Sequence, residues 1–268
     1  MGSISKILVP VDNSSYSEVA LQAAQNIAKA FNASLYVHHV SENSSSTDEI
    51  RTKAKNILND LPHTFSEGSG SVYKNILAKA LDIDANLIVM GTHGATGFQE
   101  FWLGSNTYKV VSSSKCPVLT IRYGCRSVDF KKIVLPLDTS FESRQKIPTA
   151  ISLANRLKAS IHVLGVSTSK DKEAEYAVRN YIRQAIDSIT DSGIVSTSET
   201  QLGGNITNVT IAYAEKINAD LIVIMTEQEP QIGSFFLGKF AQQMVNNSPV
   251  PVLVVPTRED LMVSTVKF

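Results

Sequence analysis

At 268 residues, with 43% hydrophobic and 19% charged residues, the chain has the size of one large globular domain or two smaller ones. Its 25 Lys and Arg balance 25 Asp and Glu, so no net field draws it to nucleic acid or to an anionic membrane surface, and no apolar run approaches the roughly 18 residues of a membrane span. Two cysteines, Cys116 and Cys125, are too few for a disulfide framework and stand at no metal-ligand spacing with the five histidines.

Taken in order, the chain alternates strand and helix signals. A strand at 6–11 follows Met1-Gly2-Ser3 directly, which leaves no stretch for a signal peptide and gives a cytoplasmic expectation. Ser14, Ser15 and Ser17 are cap candidates for a helix whose stripe is Val19, Leu21, Ala24, Ile27, Ala28 and Phe31. A strand at 34–40, a helix at 47–61, a weak strand near 63–67 and a helix at 71–82 come next. The apolar run Leu87-Ile88-Val89-Met90 then predicts a buried strand. Directly after it stands Gly91-Thr92-His93-Gly94-Ala95-Thr96-Gly97, and Gly104-Ser105-Asn106-Thr107 predicts a helix start, with that helix over 105–115 and a last strand at 118–122. Bare glycine amides followed by a helix N-terminus favour an anion such as phosphate.

The pattern then repeats. Ile7-Leu8-Val9-Pro10-Val11-Asp12 recurs as Ile133-Val134-Leu135-Pro136-Leu137-Asp138, and Ala33–Ser41 recurs as Ala159–Ser167. Ile83–Met90 matches Ile217–Ile224, and Cys116-Pro117-Val118-Leu119 matches Val250-Pro251-Val252-Leu253. One unit is written twice, joined near Tyr123 to Asp129: residues 1–125, residues 129–258, and a tail 259–268. Apolar strands alternating with amphipathic helices predict an α/β fold of two tandem doubly wound domains, each a five-stranded parallel sheet covered on both faces.

The glycine stretch is neither a dinucleotide fingerprint, which opens the first strand-to-helix turn, nor a P-loop, since no Gly-Lys-Ser/Thr closes it. The spacing Gly91-x2-Gly94-x9-Gly104-Ser105 is similar to the nucleotide motif of the universal stress protein family, and the resemblance extends over nearly the whole chain. That family implies a flavodoxin-like, adenine nucleotide alpha hydrolase-like sheet of order 3-2-1-4-5 in each half. Ligands of such sheets bind at the carboxyl ends of the strands, where the order reverses. The resemblance implies that Asp12 accepts from the adenine amino group, with the backbone of Pro10 and Val11 beside the ring and Val40 as a wall. Met90 and Gly91 end the fourth strand. Gly91 and Gly94 would line the ribose and phosphate track, Gly104 would allow close approach, and Ser105 with Asn106 would hold phosphate. The alternative reading of Asp12 is a helix N-cap or turn carboxylate, and His93 reads as a surface loop histidine. Phe101, Trp102 and Leu103 read as packing residues that anchor the loop.

In the second half Met225, Gln228 and Lys239 replace Gly91, Gly94 and Ser105, while Gly238 and Asp138 persist. One competent site and one degenerate partner are expected. The resemblance implies ATP, ADP or AMP as ligand, with Mg as an accompanying ion, and pairing of the two halves through their last strands, mimicking a family dimer. A homodimer of chains is a further expectation. Three functions stay open: a nucleotide-dependent stress regulator, a slow ATP-hydrolysing or autophosphorylating enzyme, and a dimerisation scaffold without nucleotide. No paired carboxylates or nucleophile–base arrangement favours the enzyme.

Overall fold

The computed structural model describes residues 4–41, 47–59, 61–92, 104–125, 127–226 and 237–257. His93, Gly94, Gly97, Phe101, Trp102 and Leu103 of the glycine stretch, Gln228, and the tail 259–268 lie outside them. The first half runs β1 (Lys6–Val11), α1 (Ser15–Phe31), β2 (Ser34–Ser41), α2 (Thr47–Leu58), β3 (His63–Ser69), α3 (Val72–Asp82), β4 (Leu87–Gly91), α4 (Ser105–Ser113) and β5 (Val118–Ile121). The second runs β6 (Lys132–Leu137), α5 (Phe141–Arg144), α6 (Ile147–Leu157), β7 (Ser160–Ser167), α7 (Lys172–Asp191), β8 (Ser196–Leu202), α8 (Ile206–Lys216), β9 (Leu221–Met225), α9 (Lys239–Asn247) and β10 (Val252–Val255).

The strand order is β3-β2-β1-β4-β5-β10-β9-β6-β7-β8. Each half therefore has the order 3-2-1-4-5, and the two five-stranded sheets fuse into one of ten strands. Every pairing within a half is parallel, while β5 and β10 meet antiparallel, with Leu119 opposite Leu253 and Val118 opposite Val254. The two strands that would otherwise be open apolar edges cover each other, which removes a template for foreign strand pairing. The seam is reinforced by Thr120 Oγ1, which donates to the Val252 carbonyl at 3.1 Å, and by Arg122, which donates to the Asn246 carbonyl at 3.1 Å. The outer edges fall to β3 and β8, whose polar sequences suit them to water.

Period-2 alternation explains the layers. Ile7, Val9 and Val11 face the core built with α1, α2, α6 and α7, whereas Leu8 faces the core built with α3, α4, α8 and α9. Ser14 caps α1 by accepting from the Ser17 amide, as the serine cluster predicts. The helix that answers α1 in the second half is broken into α5 and α6. Pro148 explains the break: it lacks an N–H and its ring clashes with the carbonyl four residues earlier, that of Arg144, where α5 ends.

Leu253 is 2% exposed against Leu119 on the seam. Leu253→Ala is expected to cost about 2–5 kcal/mol of stability, read as a lowered urea midpoint. A change below about 1 kcal/mol would mean the seam is not packed as described.

Candidate functional site

Strands β1 and β4 are clamped at their amino ends and parted at their carboxyl ends. Asn86 Oδ1 accepts from the Ser5 amide, the Ser5 hydroxyl and the Lys6 amide at 2.7–3.0 Å, which holds the start of β4 against β1. The Asn86 amide in turn donates to the Lys6 carbonyl. Alternation then turns the peptide groups of Leu8 and Pro10 toward β4 as well. Pro10 has no N–H to donate, and the pairing stops after Ile7–Leu87 and Leu8–Ile88. On the other side β1 stays paired with β2 as far as Val11–His39. A crevice opens between β1 and β4, where the strand order reverses.

The described residues of the predicted set gather around this crevice. Pro10, Val11 and Asp12 end β1, Val40 lies near the end of β2, and Met90 and Gly91 end β4. Gly104, Ser105 and Asn106 form the start of α4. Val11 and Met90 are buried, and their side chains belong to the cores on opposite faces of the sheet. These two residues therefore offer only backbone to a ligand.

Asp12 is held by its own loop. Its Oδ1 accepts from the Ser14 amide at 3.0 Å, the Ser14 hydroxyl at 2.5 Å and the Ser17 hydroxyl at 2.6 Å, while its amide donates to Ser17 Oγ at 2.9 Å. The turn-carboxylate reading is thus realised at one oxygen. The same bonds fix the carboxylate's direction at the crevice mouth. Ser17, which sequence reasoning took only as a cap candidate, is the second anchor.

The described residues that flank 93–103 meet at one point. The Thr92 amide donates to the Ile121 carbonyl, the Gly104 amide donates to the Thr92 carbonyl, and Thr107 Oγ1 donates to the Gly91 carbonyl at 3.1 Å. This neck sets the first turn of α4 beside the end of β4. Its N-cap is Gly104, which gives no side-chain cap, so the first turn brings the positive end of the helix dipole beside the end of β4 with no cap side chain over its amides. A phosphate fits such a donor set. Thr92 and Thr107 were not singled out in the sequence; only their place in the strand-to-helix neck gives them a role.

Beneath the mouth, β2 carries His38 and His39, each buried. His39 Nδ1 lies 2.9 Å from the Val11 carbonyl, one residue before Asp12, and His38 Nδ1 lies 2.9 Å from Ser66 Oγ. Burial, assisted by the Lys79 charge, pushes the His38 imidazole below its ordinary value, with the Ser66 contact opposing. The second half has Leu164 and Gly165 at the corresponding register.

The second half repeats the strand split, with larger side chains lining it. Pro136 again ends the β6–β9 pairing two residues after Val134–Ile222, and Asp138 Oδ1 accepts from the Ser140 amide and hydroxyl. A cavity of about 60 Å³ remains, lined among others by Pro136, Asp138, Val166, Met225 and Phe240. These are the counterparts of Pro10, Asp12, Val40, Gly91 and Asn106. Ligand pockets for small molecules span about 300–1,000 Å³, well above the volume left among these described residues. Sequence alignment had flagged Met225. Phe240 was missed, although carrying the Gly104–Gly238 match forward two residues finds it.

Comparison with known proteins bears on the whole chain. The model of the universal stress protein family matches residues 3–61, 52–122 and 129–256. The chain belongs to the universal stress protein family. A universal stress protein of Bacillus subtilis is 33% identical over 145 residues, which span 44% of this chain and 98% of that protein. One of Methanocaldococcus jannaschii is 29% identical over 138 residues, spanning 44% of this chain and 81% of its own length. These relatives are thus each about the length of one repeat. The solved structure of a universal stress protein from Archaeoglobus fulgidus covers 95% of this chain and 99% of its own, with a TM-score of 0.75 at 21% identity. A protein of unknown function from Pseudomonas aeruginosa superposes over 98% of this chain and 95% of its own with a TM-score of 0.74 at 20% identity. At these identities the likeness is one of fold, and it is the tandem fold. Among the described residues no helix is long and apolar enough to cross a membrane, and no cluster of His, Cys, Asp and Glu could hold a metal.

An imidazole lowered by folding binds fewer protons in the folded chain than in the unfolded one between the two values. The stability contribution of His38 is therefore complete above about 6.5 and is lost as pH falls below it. Urea midpoints are expected to decline from pH 7.5 to pH 5, with a shallower decline in His38→Asn; equal slopes would remove His38 from the account. Ser14→Ala is expected to cost about 1 kcal/mol through the lost α1 cap, read in the same denaturation experiment.

Proposed function

We propose that this chain is a cytoplasmic stress-response regulator that binds an adenine nucleotide, ATP in the first instance, in the crevice of residues 1–125. Residues 129–258 form a partner unit without a nucleotide site. The observation that carries this reading is the contrast between the two crevices. In the first half β4 ends at Gly91 and the second residue of α4 is Asn106. In the second, Met225 and Phe240 line what remains. In this reading Asp12 and the backbone of Pro10 and Val11 meet the purine, with Val40 beside it. Gly91 and Gly94 leave the ribose and phosphate track bare, and Gly104, Ser105 and Asn106 receive the phosphates. Asp12 suits that task because Ser14 and Ser17 hold it in one orientation, so little rotamer entropy is lost when a ligand arrives.

A ligand that binds the folded chain alone raises its apparent stability by an amount set by its concentration relative to its dissociation constant. At a hundred times that constant the gain is about 2.7 kcal/mol. Thermal unfolding with Mg-ATP is therefore expected to shift upward in the wild type, and Gly91→Met is expected to abolish the shift while leaving the ligand-free midpoint within a few degrees. No shift in the wild type, or a full shift in Gly91→Met, would overturn the reading.

A further inference from the structure

One buried side chain of the second crevice is one that alignment of the glycine motifs does not reach. Lys146 is 3% exposed and lines the 60 Å³ cavity together with Asp138, Ser143, Met225 and Phe240. Counting from the matched aspartates Asp12 and Asp138, its counterpart is Ala20, an inward position of α1 that is fully buried. A methyl group in one half is thus a four-carbon amine in the other.

The backbone explains why a lysine is accommodated there. The break imposed by Pro148 takes the local peptide groups out of regular helix between Arg144 and Ile147. Lys146 Nζ supplies a donor at the break, bonding to the Ser143 carbonyl at 2.7 Å and to Ser143 Oγ at 3.2 Å. In the first half the equivalent hydroxyl, Ser17 Oγ, instead donates to Asp12 Oδ1 at 2.6 Å. The buried amine is therefore both a local hydrogen-bond donor and a filler of the crevice. The walls differ as well. Pro136 and Val166 are buried, whereas their counterparts Pro10 and Val40 are half-buried.

We propose that Lys146, acting with Met225 and Phe240, is the built-in occupant of the second crevice and the determinant that restricts ligand binding to the first half. Among the described residues the proline split, the tethered aspartate and the side-chain-free cap of α9 at Gly238 all persist, so closure there rests on these three side chains. The prediction of restored binding rests on the nucleotide reading above; the closure itself does not.

The test uses the full chain carrying Lys146→Ala, Met225→Gly and Phe240→Asn, with folding checked by circular dichroism. Val166→Cys is introduced beside Cys116→Ser and Cys125→Ser, and its alkylation by iodoacetamide is timed. The rate is expected to rise severalfold in the opened chain, and to rise by a smaller factor with Lys146→Ala alone. Calorimetric titration with Mg-ATP is expected to rise from one site per chain to two, and to leave one when Gly91→Met is added to the opened chain. Unchanged alkylation in folded variants would overturn the proposal, as would two equivalent sites in the wild type. Faster alkylation with no nucleotide bound to any form would uphold the closure and refute the nucleotide reading.

Discussion

The missing N–H of one proline organises the functional end of each half. In a parallel sheet every interior peptide group is expected to pair, and a proline in a central strand removes a donor that its neighbour needs. Pro10 and Pro136 sit where that donor would point toward the fourth strand, two residues past the last β1–β4 and β6–β9 pairs. The strands separate there while remaining fixed at their starts, by Asn86 in the first half and by Asp220 in the second, which accepts from the Lys131 and Lys132 amides. The crevice is therefore part of the sheet's construction. Each half then decides what to place in it.

Much of this was legible in the sequence because repetition supplied its own alignment. The four matched stretches give the strand sequence of each half, and Ile7-Leu8-Val9-Pro10-Val11-Asp12 carries both the buried strand and the proline that limits it. The antiparallel contact of β5 with β10 was implied by the family resemblance, and two short apolar strands suit it. Element ends were less legible. The helix expected over 47–61 ends at Leu58 and the one expected over 105–115 ends at Ser113, while the weak strand near 63–67 reaches Ser69. Such limits depend on tertiary contacts that local propensity does not contain.

The site was legible in position more than in chemistry. Asp12 stood out as an aspartate after a buried strand, but its bonds to Ser14 and Ser17 require the turn to be seen in three dimensions. Val11 and Met90 were correctly located at strand ends, yet the pleat sends their side chains into opposite cores, so their contribution narrows to backbone. Lys146 was invisible to motif matching because it lies eight residues beyond Asp138, at the break of a helical stretch whose counterpart is unbroken. A lysine on an amphipathic helix reads as a solvated residue until its neighbours are known.

The central claim is that one crevice receives an anionic ligand at bare first-turn amides and its twin does not. Amide hydrogen exchange measured with and without saturating Mg-ATP reports on those amides directly. The account predicts new protection at Ser105, Asn106 and Thr107, with none at Lys239, Phe240 and Ala241. Equal protection at both helix starts, or none at Ser105 to Thr107, would contradict it.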